Sequence, residues 1–334
     1  MTYKRIVSLE WIFRKIRKAL SIKPPRESES AFYRQTKAFY LSLPIIRAIY
    51  AISLLLLMER YRWFNDRLPQ EMLSPPIAFW FDFFQPAQVA RGVFGLAMLA
   101  ITLATIWPNS RCFRLLSAFG ALYFVAAMTA FGVLVYPWYI WLYCLFGLVF
   151  LPHLESWDEP SLVKRGTRQK FLLIIWFLTA ILAATYFFSA FWKISLGTIG
   201  LSLKGRPSLL DASALASQIA NYNLKLWLDP PGAGLIIQNK VISFLMMWST
   251  IYFQITAPII LFRPSLHFIW GIFFLLFHVL GIYLLDVHFK FHMVMAVLLL
   301  VGSPFAIRTM GWRENINYFP GVAMIKYLLR KAWQ

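Results

Sequence analysis

The sequence predicts an all-α, polytopic membrane bundle of about eight transmembrane helices, and three observations carry that expectation. Hydrophobic residues fill 60% of the 334 positions and the mean hydropathy is +0.62, which leaves too little polar surface to coat a water-soluble globule. Apolar runs close to spanning length recur along the chain. The Lys and Arg residues behind the formal charge of +19 gather in the tails and in short loops between those runs. In a membrane protein that is a topology signal, and it argues against a nucleic-acid surface.

Residues 1–40 read as a basic amphipathic segment. Lys4, Arg5, Arg14, Lys15, Arg17 and Lys18 interleave with Ile6, Leu9, Trp11, Ile12, Ile16 and Leu20, so no continuous apolar core of a cleavable signal is present. The pattern fits a helix lying on an anionic membrane surface. The predicted membrane domain is 41–307, with spans at 41–58, 90–107, 115–135, 138–151, 171–192, 241–262, 266–285 and 291–305. Residues 308–334 form a basic tail.

With this number of spans, all the basic loops fall on one side: the N-terminal segment, Arg111 and Arg114, the Lys164, Arg165, Arg168 and Lys170 cluster, Arg263, and the tail with Arg308, Arg313, Lys326, Arg330 and Lys331. Both termini are therefore expected in the cytoplasm. The opposite face receives residues 59–89, the Tyr136-Pro137 turn, the 193–240 connection and the turn 286–290. Within that connection Asp211 is expected to cap a helix whose Leu215, Ile219, Tyr222 and Leu226 share a face, ended by Pro230, Pro231 and Gly232. Cys112 and Cys144 offer no reason to pair, and a bacterial inner membrane fits the absence of a signal and of a disulfide framework.

Ionisable groups at membrane depth need a reason, because each is costly unless it snorkels, pairs or serves a function. Arg47 can snorkel from the first span. Lys193 follows the aromatic run 186–192, a setting that suits an interfacial anchor as well as a site residue. Gln254 and Thr256 precede Pro258, which predicts a kinked sixth span with a polar inner face. His278 lies in the seventh span, and Asp286, His288, Lys290 and His292 crowd its outer end; His153 and His267 fall on the basic side as interfacial groups. Were 286–292 helical, His288 and His292 would share a face at a metal-ligand spacing. No Glu-x-x-His partner accompanies them, so interhelical hydrogen bonds and interface anchoring are expected there, with a His288–His292 metal pair as the alternative. Walker, dinucleotide and nucleophile-elbow motifs lack support.

Three stretches resemble a known family, the horizontally transferred transmembrane domain proteins, to which the vitamin K-dependent γ-glutamyl carboxylases are related. Tyr186-Phe187 followed by Lys193 resembles the family's Tyr-Phe-x-Ala-Gly-x-x-Lys segment. Gln254-Ile255-Thr256-Ala257-Pro258 followed by Arg263 resembles its next polar helix and basic turn. Phe277-His278-x-x-Gly281 through His288 to Met295 resembles its Phe-His segment and the following helix start.

The resemblance implies a membrane-embedded enzyme in which Lys193 is the catalytic base acting on a quinone or other bound lipid. His278 and His288 would then be further catalytic groups, and Tyr186, Gln254, Asp286 and Lys290 would contact the substrate. It also leaves room for a non-enzymatic lipid-binding or transport protein, or one that serves toxin maturation or immunity. Expected partners are membrane lipids, anionic headgroups at the basic cytoplasmic face, and a membrane or secreted protein; nucleic acid is not expected. The departures are specific. The family's Asn-His pair aligns near Tyr136-Pro137 and is missing, Gln254 stands where an acidic residue is common, and the chain stops soon after the last helix. Carboxylation of protein glutamates is therefore not expected.

Overall fold

The computed structural model describes residues 31–66, 86–130, 136–154, 157, 163–202, 208, 210–306 and 319–322. Among the described residues every regular element is a helix: α1 (Ala31–Asp66), α2 (Pro86–Ile106), α3 (Arg111–Ala130), α4 (Tyr139–Val149), α5 (Arg165–Ser202), α6 (Ala214–Leu226), α7 (Ala233–Gln238), α8 (Lys240–Ile255), α9 (His267–Leu285) and α10 (Lys290–Ala296). Helices long and apolar enough to cross a membrane occur at Gln35–Arg62, Arg111–Thr129, Arg165–Gly200 and Pro264–Leu285. Shorter apolar helices lie at Arg91–Ile106, Tyr139–Val149 and Lys290–Val301. This arrangement is compatible with an integral membrane protein. Large apolar side chains such as Leu55, Leu96, Leu173, Phe188 and Trp192 are more than half exposed, a surface suited to lipid and costly in water.

α1, α2, α3 and α4 pack in sequence, and α5 runs against α1, α4 and α8. Small residues set the closest approach: a Cβ on Gly120 would lie 3.0 Å from the Ala97 Cα across the α2–α3 interface. Trp141 of α4 is fully buried, stacks on Phe291 at 4.9 Å and donates from Nε1 to Ser53 Oγ of α1 at 2.8 Å. That one side chain joins α1, α4 and α10.

After α10 the chain continues as a π-helical turn, Val297–Val301, and Gly302 N donates to the Val297 carbonyl at 2.7 Å. Gly271 of α9 rests on this turn. A Cβ there would fall 2.9 Å from both Val301 N and Leu300 Cβ, atoms that cannot swing aside. Gly271→Ala is therefore expected to destabilise the protein by about 1–3 kcal/mol. Thermal unfolding of the purified protein in nanodiscs reads it, and an unchanged midpoint would contradict the packing.

Several expectations from sequence need correction. Residues 1–30 lie outside the described residues, but 31–40 already belong to α1, so the first helix begins well before position 41. The fifth helix does not stop at Trp192; it continues to Ser202 and places Lys193 within the helix. The sixth span is not one kinked α-helix. α8 ends at Ile255, and Ala257–Leu261 proceeds as a 3-10 helix because Pro258 has no N–H to continue the α register. Asp211 caps nothing on α6: its carboxylate accepts from Ser208 N, and the capping position is Ser213. The buried stripe of α6 is Ala216, Ile219 and Asn223, while Tyr222 and Leu226 are exposed. α6 stops at Trp227, in left-handed conformation with φ 55°, ahead of the prolines.

His267 does not face the surface of the bundle. It is buried and ties the turn before α9 to the end of the bundle through Ser303 Oγ (2.6 Å) and the Ile260 carbonyl (3.0 Å). The stretch Phe319–Val322, within the expected basic tail, packs against the bundle: Phe319 lies 5.3 Å from Trp270, and Tyr252 donates to the Pro320 carbonyl at 2.7 Å. The rest of 308–334 lies outside the described residues.

Candidate functional site

α5 presents Tyr186, Ser189 and Lys193 at positions i, i+3 and i+7, one stripe of a helix. α8 brings Gln254 to that stripe, and α9 brings Phe274 and His278, a turn apart. Lys193 Nζ donates to Ser189 Oγ at 2.7 Å and to Gln254 Oε1 at 2.8 Å. Gln254 is 1% exposed, and α8 ends directly after it, so its carbonyl oxygen is aimed across the α5–α8 interface. Thr256 donates its hydroxyl back to the Tyr252 carbonyl, which also accepts the Thr256 backbone N–H.

A turn deeper, the Tyr186 ring lies flat on Phe274 with centroids 3.6 Å apart, and its hydroxyl pairs with His278 Nε2 at 2.8 Å. His292, from α10, stands 5.5 Å from His278 ring to ring and 6.1 Å from Tyr186. The Nδ1 atoms of His278 and His292 are buried with no partner among the described residues. Lys193 lies within electrostatic reach of His278, so the two hydrogen-bonded pairs form one polar cluster.

Tyr186→Phe removes the phenol from this arrangement and leaves His278 without either hydrogen bond. The expected cost is about 1–3 kcal/mol for the stranded nitrogen. A lowered unfolding midpoint checks it, and a Tyr186→Phe protein as stable as the parent would show that the pair is not maintained.

The remaining expected site residues stand elsewhere. Asp286 adopts φ 50° and terminates α9, so 286–289 is not helical and His288 does not share a face with His292. That removes the geometric basis of a His288–His292 metal pair; among the described residues no group of three or more His, Cys, Asp or Glu is placed to hold an ion. Asp286 pairs with His288 at 2.8 Å, and Lys290 pairs with Glu59 at the end of α1. Glu59, His288 and Lys290 line a separate cavity of about 410 Å³ with Arg60, Trp138 and Phe291. The expected single cluster is thus two: Tyr186, Lys193, Gln254 and His278 inside, and Asp286, His288 and Lys290 on a rim.

Ser189, Phe274, Glu59 and the inner role of His292 were not legible as site residues. The spacings Ser189–Lys193 and Phe274–His278, both four apart on a helix, were the available signal. For His292 the non-helical 286–289 stretch hides the periodicity that would have placed it.

Fold and site together define a helical, membrane-compatible bundle with a buried Lys-Gln-Tyr-His cluster. Comparison with known proteins finds no family model, curated protein or solved structure that matches the chain.

Proposed function

We propose that the chain is a membrane protein of about eight spans, of the horizontally transferred transmembrane domain type, and that it acts as an enzyme on a lipid-soluble molecule, a quinone or another lipid. Lys193 is the base. It takes a proton from an acidic O–H of the substrate, and Ser189 and Gln254 hold its amine in position while Tyr186 and His278 wall the site. The observation that carries this reading is the company of Lys193: among the described residues its partners are two neutral acceptors, with no carboxylate, beside two buried histidines whose Nδ1 atoms lack partners. Unpaired buried nitrogens call for a polar ligand group. The quoted motifs around Lys193, Gln254 and His278 support the family.

The expected orientation has the termini in the cytoplasm and the membrane as a bacterial inner membrane. Arg111, Arg114, Arg165, Lys170 and Arg263 lie at helix ends on one side of the bundle, and Glu59, Lys193 and Lys290 lie towards the other, which supports that orientation through the positive-inside rule. Lipid extracts from cells with and without the protein test the activity. A species that changes mass only when the protein is present is the expected result; identical extracts would contradict it.

A non-enzymatic reading, lipid binding or transport, or a part in toxin maturation or immunity, has one observation in its favour. A lysine donating to two acceptors is already a satisfied cation, fit to hold a headgroup. Native mass spectrometry separates the two: a retained lipid returned chemically unaltered after addition of quinone and oxygen favours binding.

A further inference from the structure

At the end of the bundle away from Lys193, the α2–α3 turn, the start of α3, the end of α4 and the start of α5 surround a cavity of about 980 Å³. We propose that this cavity binds the phosphate headgroup of an anionic phospholipid from the adjoining leaflet. The inference stands apart from the role of Lys193, which lies 23 residues along α5 from Lys170, roughly 35 Å at helical rise.

Charge is the first argument. Arg47, Arg111, Arg114 and Lys170 line the cavity, and among the described residues no carboxylate does. The site is also built. Arg114 is 1% exposed, and its guanidinium donates to the Pro108 carbonyl at 2.9 Å and the Leu151 carbonyl at 2.6 Å, which joins the two loops that form the walls. Asn109 locks the same loops with a reciprocal pair to Leu154, 2.6 Å from Nδ2 to the carbonyl and 2.7 Å from the backbone N–H to Oδ1.

Two buried donors in this wall are left over. Arg114 Nε and Trp157 Nε1 have no acceptor among the described residues, and the Arg47 guanidinium lies 5.7 Å over the Trp157 ring. A buried N–H without an acceptor is costly, and phosphate oxygens supply acceptors to several donors at once. The α3 N-terminus at Arg111 adds the partial positive charge of its free amides.

The mouth decides between a lipid and a soluble ion. Ile106, Trp107 and Phe150 are each more than half exposed around this cationic hollow. Apolar side chains at the rim of a basic cavity suit an amphiphile, whose chains lie along them while its phosphate enters.

The test uses the full chain, purified in detergent and titrated with phosphatidylglycerol, phosphatidylcholine or inorganic phosphate, with retained lipid counted by native mass spectrometry and stability read from the unfolding midpoint. Phosphatidylglycerol is expected to be retained and to raise the midpoint, with phosphatidylcholine much weaker. Arg111→Ala with Lys170→Ala, both exposed positions, should weaken phosphatidylglycerol by about tenfold or more, two cations being removed. Lys170→Gln alone should weaken it less. Lys225→Ala with Lys240→Ala, a charge-matched pair outside the cavity, should leave it unchanged. Equal retention of both lipids, or equal weakening by both double variants, would overturn the proposal. Inorganic phosphate that reproduces the stabilisation and displaces the lipid would assign the cavity to a soluble anion and overturn the lipid.

Discussion

Lys193→Arg is expected to lower turnover by about 10²–10⁴-fold, the ordinary contribution of a general base, while the protein stays folded and keeps its bound lipid. Arginine retains the cation and can still donate towards Gln254 and Ser189, but its guanidinium does not give up its proton in proteins. The substitution therefore separates two roles that Lys193→Ala would remove together. A site that needs a base loses its reaction with either substitution; a site that needs only a positive charge for a headgroup survives the arginine. Product formation per mole of purified protein is the direct readout, with the unfolding midpoint and retained lipid measured alongside. An arginine variant with a third or more of the parent turnover would remove the base role from Lys193.

The largest expected effect on stability belongs to Trp141→Ala, at about 3–5 kcal/mol. Lipid tails are as apolar as the protein interior, so helix association in a bilayer draws on packing and interhelical hydrogen bonds more than on the hydrophobic effect. Trp141 supplies both. Its ring is fully buried, stacks on Phe291 and meets Phe124 edge-on at 5.9 Å, and its indole reaches Ser53 on α1. Ser53 hands its own proton to the Ile49 carbonyl, so removal of the indole leaves the hydroxyl oxygen without its donor. Trp141→Phe should cost less, since it keeps a ring and loses the hydrogen bond. The check is thermal unfolding in nanodiscs, where Trp141→Ala should fall by roughly 6 °C or more. A fall of less than about 2 °C would mean that α1, α4 and α10 are joined by something else.

Helix positions were legible because an apolar run reports burial directly; each of the eight expected spans coincides with helix in the structure over most of its length. Their ends were not. α1 continues through polar residues such as Arg34, Gln35 and Lys37, which hydropathy does not register, and α5 continues through Lys193, Gly197 and Gly200, residues that read in sequence as the end of a span. Pro258 announced a disturbance in the sixth span, but whether a proline kinks a helix or ends it is decided by what accepts the freed groups. Here the Trp270 indole donates to the Phe253 carbonyl, one of the last carbonyls of α8.

The site was legible in part for a related reason. Lys193, Gln254 and His278 each stand out as polar groups in apolar helices, and tertiary packing makes Lys193 and Gln254 a hydrogen-bonded pair. Proximity in sequence misled at the other end. Asp286, His288, Lys290 and His292 look like one constellation, but the left-handed Asp286 turns the chain, sending His292 inward and His288 outward to its hydrogen bond with Asp286. Glu59 and Lys290 are 231 residues apart, and no local pattern could have paired them.

The central claim is that the Lys193 cluster opens towards the non-cytosolic face and the basic cavity towards the cytosol. Accessibility labelling in intact cells tests it most directly, because Cys112 is exposed beside the basic cavity while Cys144 is buried and silent. With Lys225→Cys added on the connection that follows Lys193, a membrane-impermeant maleimide should modify the introduced thiol from outside and reach Cys112 only after permeabilisation. Labelling of both thiols from the same side would contradict the account.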